Sequence, residues 1–123
     1  MIYGLGIDIV SVKRLKEVVD RWDRRFLDRV FTPAEIDYCL NRKDSYLPLS
    51  ARFAAKEAMV KALGGRTDIT FKDIEVINTG DGRPIINPGI RLKEKLDRIG
   101  IKNIHLSLSH EKEYSVACVI LER

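Results

Sequence analysis

The sequence predicts an α+β fold, a mainly antiparallel sheet packed against one long central helix, on three observations. Four stretches read as strands, at residues 2 to 10, 69 to 77, 104 to 109 and 114 to 121, through alternating or continuous apolar character. The Gly80-Asp81-Gly82 cluster ahead of Pro84 marks a hairpin turn into Ile85 and Ile86. Residues 51 to 63 are dominated by Ala, Met, Leu, Lys and Glu with no Gly or Pro among them, which is helix composition. With 123 residues, 45% of them hydrophobic, the chain can bury one modest core, so a single domain over residues 1 to 123 is expected.

The formal net charge of +4 favours an anionic partner or substrate but falls short of the excess expected of a nucleic-acid binder. Cys39 and Cys118 have no C-x-x-C spacing and no histidine cluster near them, so buried free thiols are expected rather than a disulfide or zinc site. The first ten residues lack a basic segment and a cleavage site, and no apolar run approaches about eighteen residues. A cytoplasmic protein without a membrane span is the expectation.

The first strand opens MIYGLGIDIV. Ile7 and Ile9 point to one face, and Gly6, Asp8 and Val10 to the other. Ser11 is an N-cap for a helix with apolar positions Leu15, Val18, Val19 and Trp22. Its other face carries Arg14, Arg21, Arg24 and Arg25, and residues 11 to 30 hold seven Lys or Arg against four Asp or Glu. Such a face is commonly just solvated, yet it also suits the acidic surface of a helical partner. Thr32-Pro33-Ala34-Glu35 opens a short packing helix, in which Glu35 and Asp37 offset the positive end of the helix.

The long helix starts with either Pro48 in its first turn or Ser50 as N-cap, and Gly64-Gly65 stops it. Ala55, Met59 and Leu63 form a narrow apolar stripe, while Phe53, Glu57 and Lys61 share another edge at i, i+4 and i+8. After the hairpin, Asn87-Pro88 starts a helix that carries Ile90, Leu92, Leu96 and Ile99 inward and ends at Gly100. The last two strands close the sheet, the first setting His105, Ser107 and Ser109 opposite Ile104, Leu106 and Leu108.

Two acids carry the chemistry. Asp8 lies in an apolar strand, where it either caps the strand end against water or is buried against a partner, because a lone buried carboxylate costs several kcal/mol. Glu57 with Lys61 is ordinarily a surface pair worth a few tenths of a kcal/mol. Taken together, Asp8 and Glu57 supply the one or two carboxylates with which proteins hold magnesium, and Lys61 would then stand beside a phosphate.

The GIDIV opening and the FAAKEAMVK segment at residues 53 to 61 resemble the two signatures of the 4′-phosphopantetheinyl transferases, specifically the small holo-acyl-carrier-protein synthases. VFTPAEIDYC at 30 to 39, GDGRP at 80 to 84 and LSLSHEKEYSVACV at 106 to 119 follow in the family's order. Ala54 departs from the small polar residue that the wider superfamily often has there. The resemblance implies Mg2+ on Asp8 and Glu57, and catalysis by these two with Lys61. It further implies coenzyme A held by Arg52, Lys61, Gly64, Gly82, Pro84 and His105, with His105 at the 3′-phosphate and His110 near the site. By the same resemblance acyl carrier protein docks on Arg14, Arg21 and Arg24, and the chain assembles as a homotrimer with active sites at the subunit boundaries. Two rival readings remain: a magnesium-dependent nuclease, whose Glu and Lys would stand two apart on a strand, and a basic binding module, which leaves Asp8 unexplained.

Overall fold

Two glycines let the first strand lie directly on the longest helix, and the rest of the molecule is arranged around that contact. The computed structural model describes residues 1–65 and 68–123. In chain order the elements are β1 (Ile2–Ser11), α1 (Val12–Trp22), α2 (Arg24–Val30), α3 (Pro33–Leu40), α4 (Tyr46–Ala62), a 3₁₀ turn at Phe71–Asp73, β2 (Ile74–Asn78), β3 (Pro84–Pro88), α5 (Ile90–Arg98), β4 (Asn103–His110) and β5 (Tyr114–Glu122).

The α+β architecture is the one the sequence predicts, with every described strand pairing antiparallel, but the strands form two sheets rather than one. β5 is central in the order β1-β5-β4, and β2 pairs with β3 as a separate hairpin. Pro84 and Pro88 bracket β3 and remove donors from its ladder, which suits a strand that pairs on one side only. The strand expected over residues 69 to 77 also begins later, because Thr70 and Asp73 form a capping box that winds residues 71 to 73 into the 3₁₀ turn.

α4 covers the inner face of the three-stranded sheet. At Gly6 an added Cβ would fall on the carbonyl oxygen of Ala58, and at Gly4 on that of Ala62, so only glycine permits this approach. Ala54, Ala55, Ala58, Met59 and Ala62 then meet Ala117, Val119 and Leu121 of β5 in the main core. A second cluster, with Leu15, Leu27, Phe31, Ile36 and Leu49, joins α1, α2 and α3 to the start of α4.

Several boundaries differ from expectation. α4 starts at Tyr46, a turn before Ser50, because Asp44 Oδ1 accepts from the Tyr46 and Leu47 amides at 3.0 and 3.3 Å and so caps the helix. Pro48 does sit in its first turn. Ser50 is instead fully buried, 2.7 Å from Ser115 across the core. The helix after Ser11 is broken at Asp23, whose φ of 51° separates α1 from α2. Ser11 does cap α1, accepting from the Arg14 amide. Trp22 and Ile90, expected inward, are 52% and 78% exposed. Of the two free cysteines Cys39 is buried, and Cys118 is only half-buried.

Candidate active site

From Gly4 onward β1 presents its even-numbered residues to α4, so Asp8 faces the helix while Leu5, Ile7 and Ile9 face outward. The same crossing that needs Gly4 and Gly6 brings Asp8 to the edge of α4 carrying Glu57 and Lys61. Lys61 Nζ donates to Asp8 Oδ1 and to the Ile7 carbonyl, each at 3.0 Å. The Asp8 side chain is 17% exposed and that of Lys61 52% exposed. Burial pushes the Glu57 carboxyl above the usual carboxylate range, the charge of Asp8 pushes it further, and Lys61 acts against both. The two carboxylates therefore repel, and the Lys61 ammonium offsets part of their charge.

Gly64 and Gly65, with φ of 100° and 97°, end α4 just beyond Lys61. Their amides donate to the Lys61 and Val60 carbonyls at 3.0 and 2.9 Å, the C-cap that the sequence predicts.

Arg52 lies on a different side of α4. With Pro84, Asn78, His110, Tyr38 and Arg42 it lines a cleft between α3, the start of α4 and the β2–β3 hairpin. Arg52 is 4% exposed. Its Nη2 donates to Asn78 Oδ1 at 2.8 Å, and Asn78 Nδ2 donates to the Gly82 carbonyl at 2.9 Å, so the turn that holds Gly82 is tied to the cleft. His105 is in neither place: it projects from β4 beside Glu122 Oε1, 3.0 Å from its Nε2. In one chain the residues expected to hold a nucleotide thus fall into three groups, around Lys61, around Arg52 and at His105.

On the helical side Arg14, Arg21 and Arg24 are all exposed, with Arg24 Nε donating to Asp28 Oδ1 at 3.1 Å. The break at Asp23 puts Arg24 on a second helix, and beside it Val18, Trp22, Arg25 and Phe26 line a shallow groove.

Sequence reasoning gave Glu35 only the task of offsetting a helix end. The capping box with Thr32 is present. Glu35 is also 1% exposed, and it accepts from Lys56 Nζ at 2.8 Å and from the Val76 amide at 2.9 Å. Lys56, 0% exposed, donates further to the Phe71 and Ile74 carbonyls. Its neighbour in sequence, Glu57, is thereby held on a helix whose rotation this network fixes. Tyr38, Arg42 and Asn78 were also missed, although Tyr38 and Arg42 stand four apart in sequence.

Among the described residues no group of three or more His, Cys, Asp or Glu is arranged to hold a metal ion, and no helix is long and apolar enough to cross a membrane. A family profile described as the 4′-phosphopantetheinyl transferase superfamily matches residues 4–119. The chain is 49% identical over 127 residues to a holo-[acyl-carrier-protein] synthase of Halothermothrix orenii, covering 99% of this chain and 98% of that one. A crystal structure of holo-[acyl-carrier-protein] synthase from Neisseria meningitidis superimposes with a TM-score of 0.94 at 35% identity, over 100% of both chains. Another, from Helicobacter pylori in complex with coenzyme A, superimposes with a TM-score of 0.82 at 33% identity, over 96% of this chain and 99% of that one.

Proposed function

The chain belongs to the holo-[acyl-carrier-protein] synthases of the 4′-phosphopantetheinyl transferase superfamily, and from that premise we propose that it moves the 4′-phosphopantetheine arm of coenzyme A onto a serine of apo-acyl carrier protein. The observation that carries this reading is the meeting of Asp8, Glu57 and Lys61 where β1 crosses α4. In the reaction the serine oxygen forms a bond to the β-phosphorus of coenzyme A. The bond from that phosphorus to the bridging oxygen breaks, and adenosine 3′,5′-bisphosphate leaves.

The donor set fits Mg2+. That ion is bound by one or two carboxylates plus substrate phosphates and water, and Asp8 and Glu57 are two hard oxygen donors whose mutual repulsion a cation would relieve. Bound there, Mg2+ would supply charge neutralisation at the pyrophosphate. Lys61 adds a second positive charge and, through the Ile7 carbonyl, is held to the strand that carries Asp8. The serine proton goes to a base at this site, a role this reading gives to the Glu57 carboxylate. Gly64, at the end of the same helix, borders the phosphate side of the site.

Arg52, Gly82 and Pro84 then serve the nucleotide end of coenzyme A from a neighbouring chain in a homotrimer, and His105, which lies apart from them in one chain, serves it across a subunit boundary. The separation of these residues from Asp8 within one chain supports that arrangement. So does the outward face of the three-stranded sheet, where Leu5, Ile7 and Ile9 are 60%, 60% and 63% exposed, paired in register with Ile120, Cys118 and Val116. A second copy is the partner that suits this apolar face. Acyl carrier protein, in this reading, docks on Arg14, Arg21 and Arg24 beside the groove at Trp22. The protein acts in the cytoplasm.

The test is direct. Incubated with coenzyme A, Mg2+ and apo-acyl carrier protein, the wild-type protein should add the mass of one phosphopantetheine arm to the carrier. Asp8→Ala and Glu57→Ala should each lower the rate by at least about a hundredfold while remaining folded, because each removes one of few ligands to the cation. Near-normal rates in either variant at moderate Mg2+ would remove the carboxylates from the mechanism. A wild-type protein that leaves the carrier unmodified would remove the reading itself.

A further inference from the structure

The chain turns from α1 into α2 at one residue, Asp23, in a conformation that suits glycine better. Its φ of 51° and ψ of −134° are close to the first central residue of a type II′ turn, a place usually taken by glycine because a Cβ is crowded there. Among the described residues Asp23 is the only non-glycine with a positive φ. Its amide donates to the Val19 carbonyl at 2.6 Å and ends α1, but its carboxylate makes no capping hydrogen bond to α2. Backbone in so sparsely populated a region persists only where the structure around it over-determines it.

Here the constraint comes from both helices. Leu15 of α1 and Leu27 and Val30 of α2 are buried in one cluster with Phe31 and Leu49. Phe26 of α2 also packs on Phe53 of α4, ring centroids 6.1 Å apart, and Phe53 lies one helical turn before Glu57. At its other end α1 is held to the sheet that carries Asp8, since Ser11 caps it and the Val12 amide donates to the Glu113 carbonyl at 2.9 Å. The turn at Asp23 therefore sets the angle between the helix of Arg14 and Arg21 and the helix of Arg24, and relates both to the edge of α4 that carries Glu57.

We propose that Asp23 is a positioning residue for the protein substrate: its strained turn fixes Arg14 and Arg21 of one helix against Arg24 of the next, so that an acidic helical partner meets all three at once. The proposal rests on the carrier-protein reading above. The side chain itself acts against such a partner, being an exposed acid beside Arg21, Arg24 and Arg25, so what this position supplies is the turn.

Transfer is measured with carrier protein varied at saturating coenzyme A, and then the reverse, for wild type, Asp23→Gly and Asp23→Val. The two variants make the same change of charge and differ in the backbone they allow, since glycine adopts the turn freely and a β-branched residue does not. Asp23→Gly should not raise KM for carrier protein. Asp23→Val should raise it about tenfold, with KM for coenzyme A unchanged in both variants. A rise in Asp23→Gly as large as in Asp23→Val would assign the effect to the carboxylate and overturn the proposal, as would an Asp23→Val protein with the wild-type KM for carrier protein. Equal changes in the two KM values, or a loss of kcat alone, would mark general damage to the fold and overturn it as well. If Asp23→Val does not fold by circular dichroism, Asp23→Ala decides in its place, on the same comparison with Asp23→Gly. A wild type that adds no arm to the carrier would refute the transferase reading and the proposal with it, whereas an active wild type whose variants leave KM for carrier protein unmoved refutes the role of the turn alone.

Discussion

Gly6 is the residue on which the site depends most and which no catalytic argument would select. A methyl group there would meet the Ala58 carbonyl oxygen, so Gly6→Ala must push β1 off α4 or shift the helix. The expected result is a loss of about 1–3 kcal/mol in urea denaturation together with a fall in transfer rate beyond what the unfolded fraction explains, because Asp8 moves away from Glu57. A Gly6→Ala protein with wild-type midpoint and rate would show that the close approach does not set the site. The sequence placed Gly6 on the same strand face as Asp8, as observed. What it lacked was the identity of the surface opposite, since Ala58 is distant in sequence and its carbonyl leaves no trace in side-chain pattern. Likewise Asp8 could equally have been a strand-end cap until its face was seen to lie against Lys61.

At the scale of elements, α3, α4 and β2 are joined by the buried Lys56–Glu35 pair. Burial holds the Lys56 ammonium below its usual range, and Glu35 acts against that shift. Glu35 also satisfies the Thr32 and Val76 amides, so the network is complete at the carboxylate. Lys56→Met should cost about 3–5 kcal/mol by stranding a buried carboxylate, and adding Glu35→Leu should recover part of it. Chemical denaturation of the three variants checks this, and a double variant worse than the single one would contradict it. The pair escaped the sequence reading because Glu35 matched a capping box so well that its second task was hidden. Helix α1 carries a separate prediction. Arg14→Glu with Arg21→Glu should raise KM for acyl carrier protein while leaving KM for coenzyme A nearly as it was, since rim charges act on encounter. Salt should weaken the wild type more than this variant, the screening length falling to about 3 Å at 1 M. Identical salt responses would mean the arginines are only solvated.

For the molecule as a whole, periodicity was enough to show the α+β class and the helix with its glycine stop, because each follows from local composition. The division into two sheets was not legible, since strand partners are chosen by tertiary packing and Pro84 and Pro88 only limit β3. The proposal that the site is shared between chains comes from the family resemblance, not from periodicity or composition. In the chain itself Asp8 and Arg52 lie on different sides of α4, and the outer sheet face is apolar and exposed. If each active site combines the Asp8 region of one chain with the Arg52 cleft of the next, two inactive proteins should rescue each other. Asp8→Ala and Arg52→Ala chains, each impaired alone, are unfolded together and refolded at equal concentration. A site is intact when its Asp8 half comes from an Arg52→Ala chain and its Arg52 half from an Asp8→Ala chain. Random assembly in a closed ring gives that combination at about a quarter of the interfaces. Transfer should therefore return to roughly a quarter of the wild-type rate. A mixture no more active than its components would place both halves in one chain, and adding Ile7→Glu to both chains should abolish the rescue by charging the apolar face through which they meet.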